Sequence, residues 1–249
     1  MADQIPLFQR LAQARANQVV IDTPSEAPTD VHAAYAIQHE LLDALGATIG
    51  GWKVGAKSPG GPAQCAPLPA ADVMPSGTPL SRRRFAPLGL ELEIAFKFGR
   101  AFEPRVDPYV DEEVFRAIGA MAAAIEVVSS RYKAWPNVEK SLQLADLQNH
   151  GALIVGEFRP YDPDYSFSEP VLEFSFERAS VMKESAVNPA GDPRTLLPWL
   201  VNHVTQRGIT LTPDMVVTTG SYSGMCFPES AGAATGTISG FLPVHLQLS

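Results

Sequence analysis

Leu90-Glu91-Leu92-Glu93-Ile94-Ala95-Phe96-Lys97-Phe98 alternates without a break: every even position is apolar, and the odd ones carry two glutamates, an alanine and a lysine. Successive side chains of a β-strand point to opposite faces, so this period of two predicts a strand with one buried face. Glu91 and Glu93 then share the other face, with α-carbons about 6.5 Å apart at the usual strand rise. Two carboxylates so placed can close on one hard divalent cation, or can be the wet side of an ordinary strand. Ala122-Ala123-Ala124-Ile125-Glu126-Val127-Val128 bears on that choice. An ionised glutamate in so apolar a run is costly unless it is exposed, protonated, paired or metal-bound. If the two runs are neighbouring strands, three carboxylates converge with no obligatory partner but a cation.

Upstream, Gly50-Gly51-Trp52-Lys53-Val54-Gly55 reads as a short strand bracketed by glycines. Trp52 and Val54 face a core, so Lys53 faces the other way, either as a solvated charge or as an amine aimed at a site. A first helix spans about 6–18. Thr29 or Asp30 caps a second, whose Ala34, Ile37, Leu41, Leu42 and Leu45 keep the helical period until Gly46. His39 and Glu40 lie on it, where a surface role is the simpler reading. Residues 58–87 are rich in Pro and Gly and read as one long loop, with Asp72 inside it.

Downstream, a helix from Asp111 to about Ala120 leads into the Glu126 strand. Strands follow at 152–155 and 172–176, and Asp192-Pro193 starts a helix that Gly208 ends. Residues 215–219 form a buried strand that runs into Gly220-Ser221-Tyr222-Ser223-Gly224, and 244–248 close the chain. The glycine-flanked run is not a nucleophile elbow, because Tyr222 stands where the serine belongs. It is either a plain turn or a nest in which backbone N–H groups and the hydroxyls of Thr219, Ser221 and Ser223 receive a carboxylate. Strands outnumber helices and do not alternate with them, which predicts an α+β fold with a mainly β core.

Composition narrows the function. The 249 residues, 45% hydrophobic and 18% charged, suit one large soluble domain. Basic side chains number 19 against 27 acidic ones, for a formal charge of −8, and no basic run exceeds Arg82-Arg83-Arg84, which argues against nucleic acid. No apolar run approaches a membrane span and no signal peptide opens the chain. Cys65 and Cys226 form neither a disulfide framework nor a CxxC site, so the expected compartment is the cytoplasm. GxGxxG and P-loop motifs are absent, and the five histidines lack zinc spacing.

In order, Ala33-Ala34-Tyr35-Ala36-Ile37-Gln38-His39, Gly51-Trp52-Lys53-Val54-Gly55, Glu91-x-Glu93-Ile94-Ala95, Ile125-Glu126-Val127-Val128 with Arg131, and Thr219-Gly220-Ser221 resemble the fumarylacetoacetate hydrolase superfamily. The branch they resemble is that of the 2-keto-4-pentenoate hydratases and 4-oxalocrotonate decarboxylases, over nearly the whole chain. The resemblance implies a single domain over 1–249: a mixed β-roll with flanking helices, and an N-terminal helical segment (about 1–48) packed on the β core. It implies Mg²⁺ or Mn²⁺ on Glu91, Glu93 and Glu126, and an acid–base role for Lys53, whose pKa a nearby cation should lower. Thr219, Gly220, Ser221 and Ser223 become candidates for binding the substrate, and Asp72 and His39 further catalytic candidates. The segment between Lys53 and Glu91 is shorter than in a typical hydratase, and Ala145-Asp146-Leu147 replaces the usual Ala-Asp-Asn, so the polar contact of the third residue is missing or is supplied by Asn149.

The expected activity is hydration of a 2-hydroxydienoate or 2-oxo-enoate by a homo-oligomer in aromatic-compound catabolism. Decarboxylation of a 4-oxalocrotonate-type 2-oxo-enedioate ranks second, and acylpyruvate hydrolysis with His39 beside Glu40 third. The non-enzymatic alternative, a metal-dependent 2-oxo acid binding protein, has no need of Lys53.

Overall fold

The computed structural model describes residues 5–183 and 187–249. Helices α1 (Leu7–Asn17) and α2 (Val31–Leu45) come first. The Asp30 carboxylate accepts the Ala33 N–H at 2.8 Å to cap α2, and Gly46 ends that helix in the left-handed conformation at φ 60°. Strands β1 (Ile49–Gly55), β2 (Gln64–Pro69), β3 (Val73–Pro75), β4 (Pro79–Leu80) and β5 (Gly89–Phe98) follow. Helix α3 (Asp111–Arg116) precedes β6 (Ile118–Val128), and α4 (Lys140–Ala145) precedes β7 (His150–Val155). The rest is β8 (Arg159–Pro160), β9 (Leu172–Phe176), β10 (Ala179–Ser180), α5 (Leu196–Thr205), β11 (Val216–Ser221), β12 (Gly232–Ile238) and β13 (Val244–Leu248).

Among the described residues the strands form two mixed sheets. One runs β2-β1-β11-β5-β6-β7-β3, with β8 paired to the far end of β6; the other runs β10-β9-β12-β13-β4. β1 lies parallel to β11, while β5 is antiparallel to both β11 and β6. This is the expected α+β arrangement of a mixed β core with flanking helices.

β5 occupies the middle of the larger sheet. Leu90, Leu92, Ile94, Phe96 and Phe98 are at most 2% exposed. They share one core with Phe174, Ala234 and Leu246 of the second sheet and Leu197, Leu200 and Val201 of α5. Full burial of each such side chain contributes about 1.5–3 kcal/mol. The opposite face is not wet, as simple alternation suggested. Ala95 packs there with Leu68, Ala122, Ala124, Leu153 and Val216, and Glu93 is 2% exposed. The two glutamates therefore sit in a covered depression and not on a solvated surface.

Residues 58–87 are not one loop. β2 pairs antiparallel with β1 from Gly55↔Gln64 to Ile49↔Pro69. Pro67 and Pro69 are tolerated because β2 is an edge strand, with one side on which no ladder N–H is required. The helix expected to reach Ala120 stops at Arg116, since Ile118 and Ala120 are already paired with Phe98 and Lys97 of β5. Sheet pairing outweighs local helical preference there. In β1, a Cβ on Gly51 would come within 2.2 Å of the Val216 carbonyl oxygen, so a glycine is required for β1 to lie against β11. A smaller core joins Leu11 of α1, Leu41 and Leu42 of α2 and Leu142 of α4 to Tyr132. No helix of the described residues is long and apolar enough to cross a membrane.

Candidate active site

Strand register assembles the site from distant parts of the chain. Glu91 lies directly across from Glu126 on β6, Ser221 of β11 lies across from Glu93, and Lys53 of β1 lies beside Thr218 of β11. One carboxylate oxygen from each of Glu91, Glu93 and Glu126 falls within 4.8 Å of the others, a spacing that can hold a metal ion. These three residues, Lys53, Gly220 and Ser221 line a cavity of about 440 Å³, with Lys57, Lys140 and Gln148 further round its wall.

The two most buried glutamates are tied back through one oxygen each. Glu126 Oε1 accepts Lys53 Nζ at 2.5 Å and His150 Nδ1 at 3.3 Å. A carboxylate only accepts, so His150 donates from Nδ1, and its bare Nε2 is buried with no partner. Glu93 Oε2 accepts the Thr218 hydroxyl and, at 3.1 Å, the Gly220 N–H. Each arrangement leaves the second oxygen for another ligand. Lys53 Nζ also donates to the Gln148 carbonyl at 3.3 Å. That carbonyl is presented by three consecutive left-handed residues, Leu147, Gln148 and Asn149, at φ 50°, 52° and 57°. Non-glycine backbone held there is strained, and such strain gathers at functional sites.

Electrostatics follow from three buried carboxylates with the Lys53 ammonium set among them. Burial raises Glu91 to about 7 and Glu93 to about 8, with the Glu126 charge adding to both. Burial also pushes Glu126 upward, but the Lys53 ammonium and His150 prevail and hold it below the usual carboxylate range. Burial pushes Lys53 down, yet the Glu126, Glu93 and Glu91 charges outweigh it and hold the amine above its ordinary value. A lowered Lys53 pKa was expected beside a cation. Without one, its neighbours are anions and the sign reverses. Burial lowers His150, which is therefore neutral.

Four of the residues singled out above do not reach this cavity. The Thr219 hydroxyl donates to the Ile94 carbonyl at 3.2 Å. The Ser223 hydroxyl accepts the Leu92 N–H at 2.9 Å and donates to the Gly224 carbonyl at 2.8 Å. The cause is a register shift between Thr218 and Ser221, with Gly220 at φ 94°. Strict alternation places Thr219, Ser221 and Ser223 on one face, whereas the irregularity turns Thr218 and Ser221 towards the glutamates. The Ser221 hydroxyl is buried with no hydrogen-bond partner. Asp72 is ion-paired to Arg84 and lines a different cavity. His39 lines a surface hollow with His32 and Arg207, because α2 turns Ala34, Gln38, Leu41 and Leu42 inward instead. Asn149 does not supply a contact to the cavity; its amide donates to Gln143 Oε1 at 3.1 Å.

His150, Thr218 and Gln148 were not anticipated. Thr218 had a usable signal as the residue before Thr219 at a glycine, but only strand pairing shows which of the two faces Glu93. His150 stands at the start of an apolar strand, with nothing local to link it to Glu126.

No family model matches the sequence, and no curated protein does. Solved structures do match. 4-Oxalocrotonate decarboxylase from Pseudomonas putida G7, complexed with magnesium and adipate, is similar over 100% of this chain and 98% of its own, with a TM-score of 0.80 at 19% identity. 2-Hydroxyhepta-2,4-diene-1,7-dioate isomerase from Mycobacterium marinum is similar over 81% and 76%, with a TM-score of 0.58 at 15% identity. Fumarylpyruvate hydrolase from Pseudomonas aeruginosa, in complex with Mn²⁺ and pyruvate, is similar over 79% and 88%, with a TM-score of 0.54 at 15% identity. The chain has the fold that these enzymes share, the one expected from the resemblance to the fumarylacetoacetate hydrolase superfamily. Within it, the likeness to the decarboxylase takes in the N-terminal helices as well as the sheets, since it spans the whole chain.

Proposed function

We propose that this chain is a divalent-metal-dependent hydratase acting on a 2-hydroxydienoate or 2-oxo-enoate, with Mg²⁺ or Mn²⁺ on Glu91, Glu93 and Glu126. The observation that carries the reading is the convergence of three carboxylates on one cavity with an amine bonded to one of them. Structures of the same fold hold magnesium with adipate and Mn²⁺ with pyruvate. Hard oxygen ligands of this kind suit either ion. A divalent cation bound there supplies Lewis-acid stabilisation of the negative charge that develops on the oxygens of a 2-oxo acid. Glu126 holds Lys53 through Oε1, which fixes the amine at the edge of the cavity, where it can carry a proton to and from the substrate chain. The unpartnered Ser221 hydroxyl is the donor available to a substrate carboxylate. Hydrolysis of an acylpyruvate fits less well, because the histidine considered for its base, His39, lies in another hollow and His150 is committed to Glu126.

Decarboxylation is the second reading, favoured by Lys57 and Lys140 on the cavity wall. Two further cations there suit the distal carboxylate of a 2-oxo-enedioate. A panel of 2-hydroxydienoates and 2-oxo-enedioates, followed by ultraviolet loss, water incorporation and CO₂ release, separates the two. The expected result is water addition to a dienoate without CO₂. Stoichiometric CO₂ from an enedioate, with no hydration of any dienoate, reverses the ranking.

The raised carboxyls give a pH signature. In the ion-free protein, Glu91 and Glu93 keep protons up to about 7 and about 8 that unfolded glutamates release near 4.5. The folded state then binds more protons than the unfolded one, so these two groups lower stability as pH rises across that window. A divalent cation on the ionised carboxylates removes the penalty. Melting curves at pH 5, 6.5 and 8, with chelator and with saturating Mg²⁺, should therefore show a Mg²⁺-induced rise in Tm that grows with pH. A rise independent of pH contradicts the assignment.

A further inference from the structure

A second cavity, of about 250 Å³, shares no lining residue with the first. It sits between the C-terminal end of α1, the segment after β6 and the start of β7. Arg15, Arg84 and Arg131 line it together with Asp72, and no other charged residue among those described does so. Fully buried Asp146 is shared: Arg15 Nη2 donates to its Oδ1 at 2.9 Å, while the Arg131 N–H donates to its Oδ2 at 2.8 Å. The Arg131 guanidinium Nε stands 3.5 Å from the same Oδ2. Asp72 accepts from one nitrogen of Arg84.

Three guanidiniums thus meet two carboxylates, in a chain whose formal charge is −8. Solvent reaches Arg84, whose side chain is 37% exposed, but hardly the other two. Arg131 is only 8% exposed, and the Nε atoms of Arg15 and Arg131 are buried with no hydrogen-bond partner. Burial, and after it the Arg15 charge, press Arg131 down to about 10. Structural pairing alone would be served by two arginines for two aspartates. A third guanidinium, planar and suited to oxyanions, leaves a cationic hollow with an unmatched charge.

We infer that this cavity binds a small oxyanion, a carboxylate or inorganic phosphate, between Arg15, Arg84 and Arg131. Its volume admits an anion of a few heavy atoms and is below the usual range for larger ligands. The inference is independent of the proposed hydratase reading, since it uses none of that site's residues.

The test is calorimetric titration of the full chain at low ionic strength with inorganic phosphate and, separately, succinate. Divalent ions are removed first, so that neither probe has a metal to chelate in the three-glutamate cavity. One-to-one binding of at least one probe is expected, and which probe binds tells phosphate from carboxylate. Arg84→Gln should weaken it at least about 10-fold, the loss of one charge-assisted contact. Because that change also strips Asp72 of its partner, Ala16→Glu decides. Ala16 is exposed and lines the cavity, so a glutamate there offers a tethered carboxylate while every guanidinium remains. It should suppress binding by a similar factor and raise Tm. No saturable binding of either probe up to about 10 mM, a generous limit for a small ligand, overturns the inference. So does unchanged affinity in Ala16→Glu.

Discussion

Glu126→Gln is expected to weaken Mg²⁺ binding by at least about 100-fold while the chain still folds. Carboxylate charge is what draws a hard cation into such a site, and one unit charge at contact range is worth about 4 kcal/mol at the effective dielectric near a protein surface. The amide keeps the size of the side chain and can still accept from Lys53, so packing around β6 is preserved. Glu91→Gln and Glu93→Gln should weaken the ion similarly, but with a difference in the ion-free protein. Glu93 is raised to about 8 by burial and by the Glu126 and Glu91 charges, so ionising it costs stability. Glu93→Gln should therefore melt higher than the parent at pH 8 in chelator and lower in Mg²⁺. Calorimetry and paired melts check both points. Parental Mg²⁺ affinity in all three variants would sink the metal site.

The second large effect is on turnover. Lys53→Met should lower kcat by about 10²–10⁴-fold, the usual contribution of a positioned acid–base group. Mg²⁺ binding should survive and even tighten, because the change removes the ammonium that is bonded to Glu126 and acts on Glu91 and Glu93 as well. The same loss leaves Glu126 buried without its cation, so the variant should be less stable than the parent in chelator and recover in Mg²⁺. A metal ligand would show the opposite pairing, with lost affinity and lost rate together. Near-normal kcat for Lys53→Met across pH 6–9 would remove the lysine from the chemistry.

The sequence carried the parts of this site that alternation controls. Leu90 to Phe98 announces its own strand and faces, Trp52 and Val54 fix the direction of Lys53, and Glu126 is conspicuous because an apolar run offers it nothing to pair with. What stayed hidden depends on pairing across long separations. Glu93 meets Thr218 and Gly220 more than 120 residues away, and no local pattern gives that register. Thr219 and Ser223 were plausible only while β11 was taken as regular; the break at Gly220 changes which hydroxyls face inward. His39 depended on how α2 is rotated against its neighbours. Residues 58–87 hid an edge strand because proline is read as a loop former unless the strand's open side is known.

The double burial of β5 has a consequence for mutational drift. Its leucines and its glutamates belong to two incompatible environments only one residue apart. Removing a single residue between Gly89 and Glu93 would send carboxylates into the aliphatic interior and turn leucines towards the cation's place. Insertions and deletions in this strand are thus lost twice over, once in folding and once in chemistry, whereas a substitution such as Glu→Gln is lost only in chemistry. The charged pair acts as an index mark for the sheet, and lineages that abandon the activity would be expected to retain the spacing of these positions longer than their acidity.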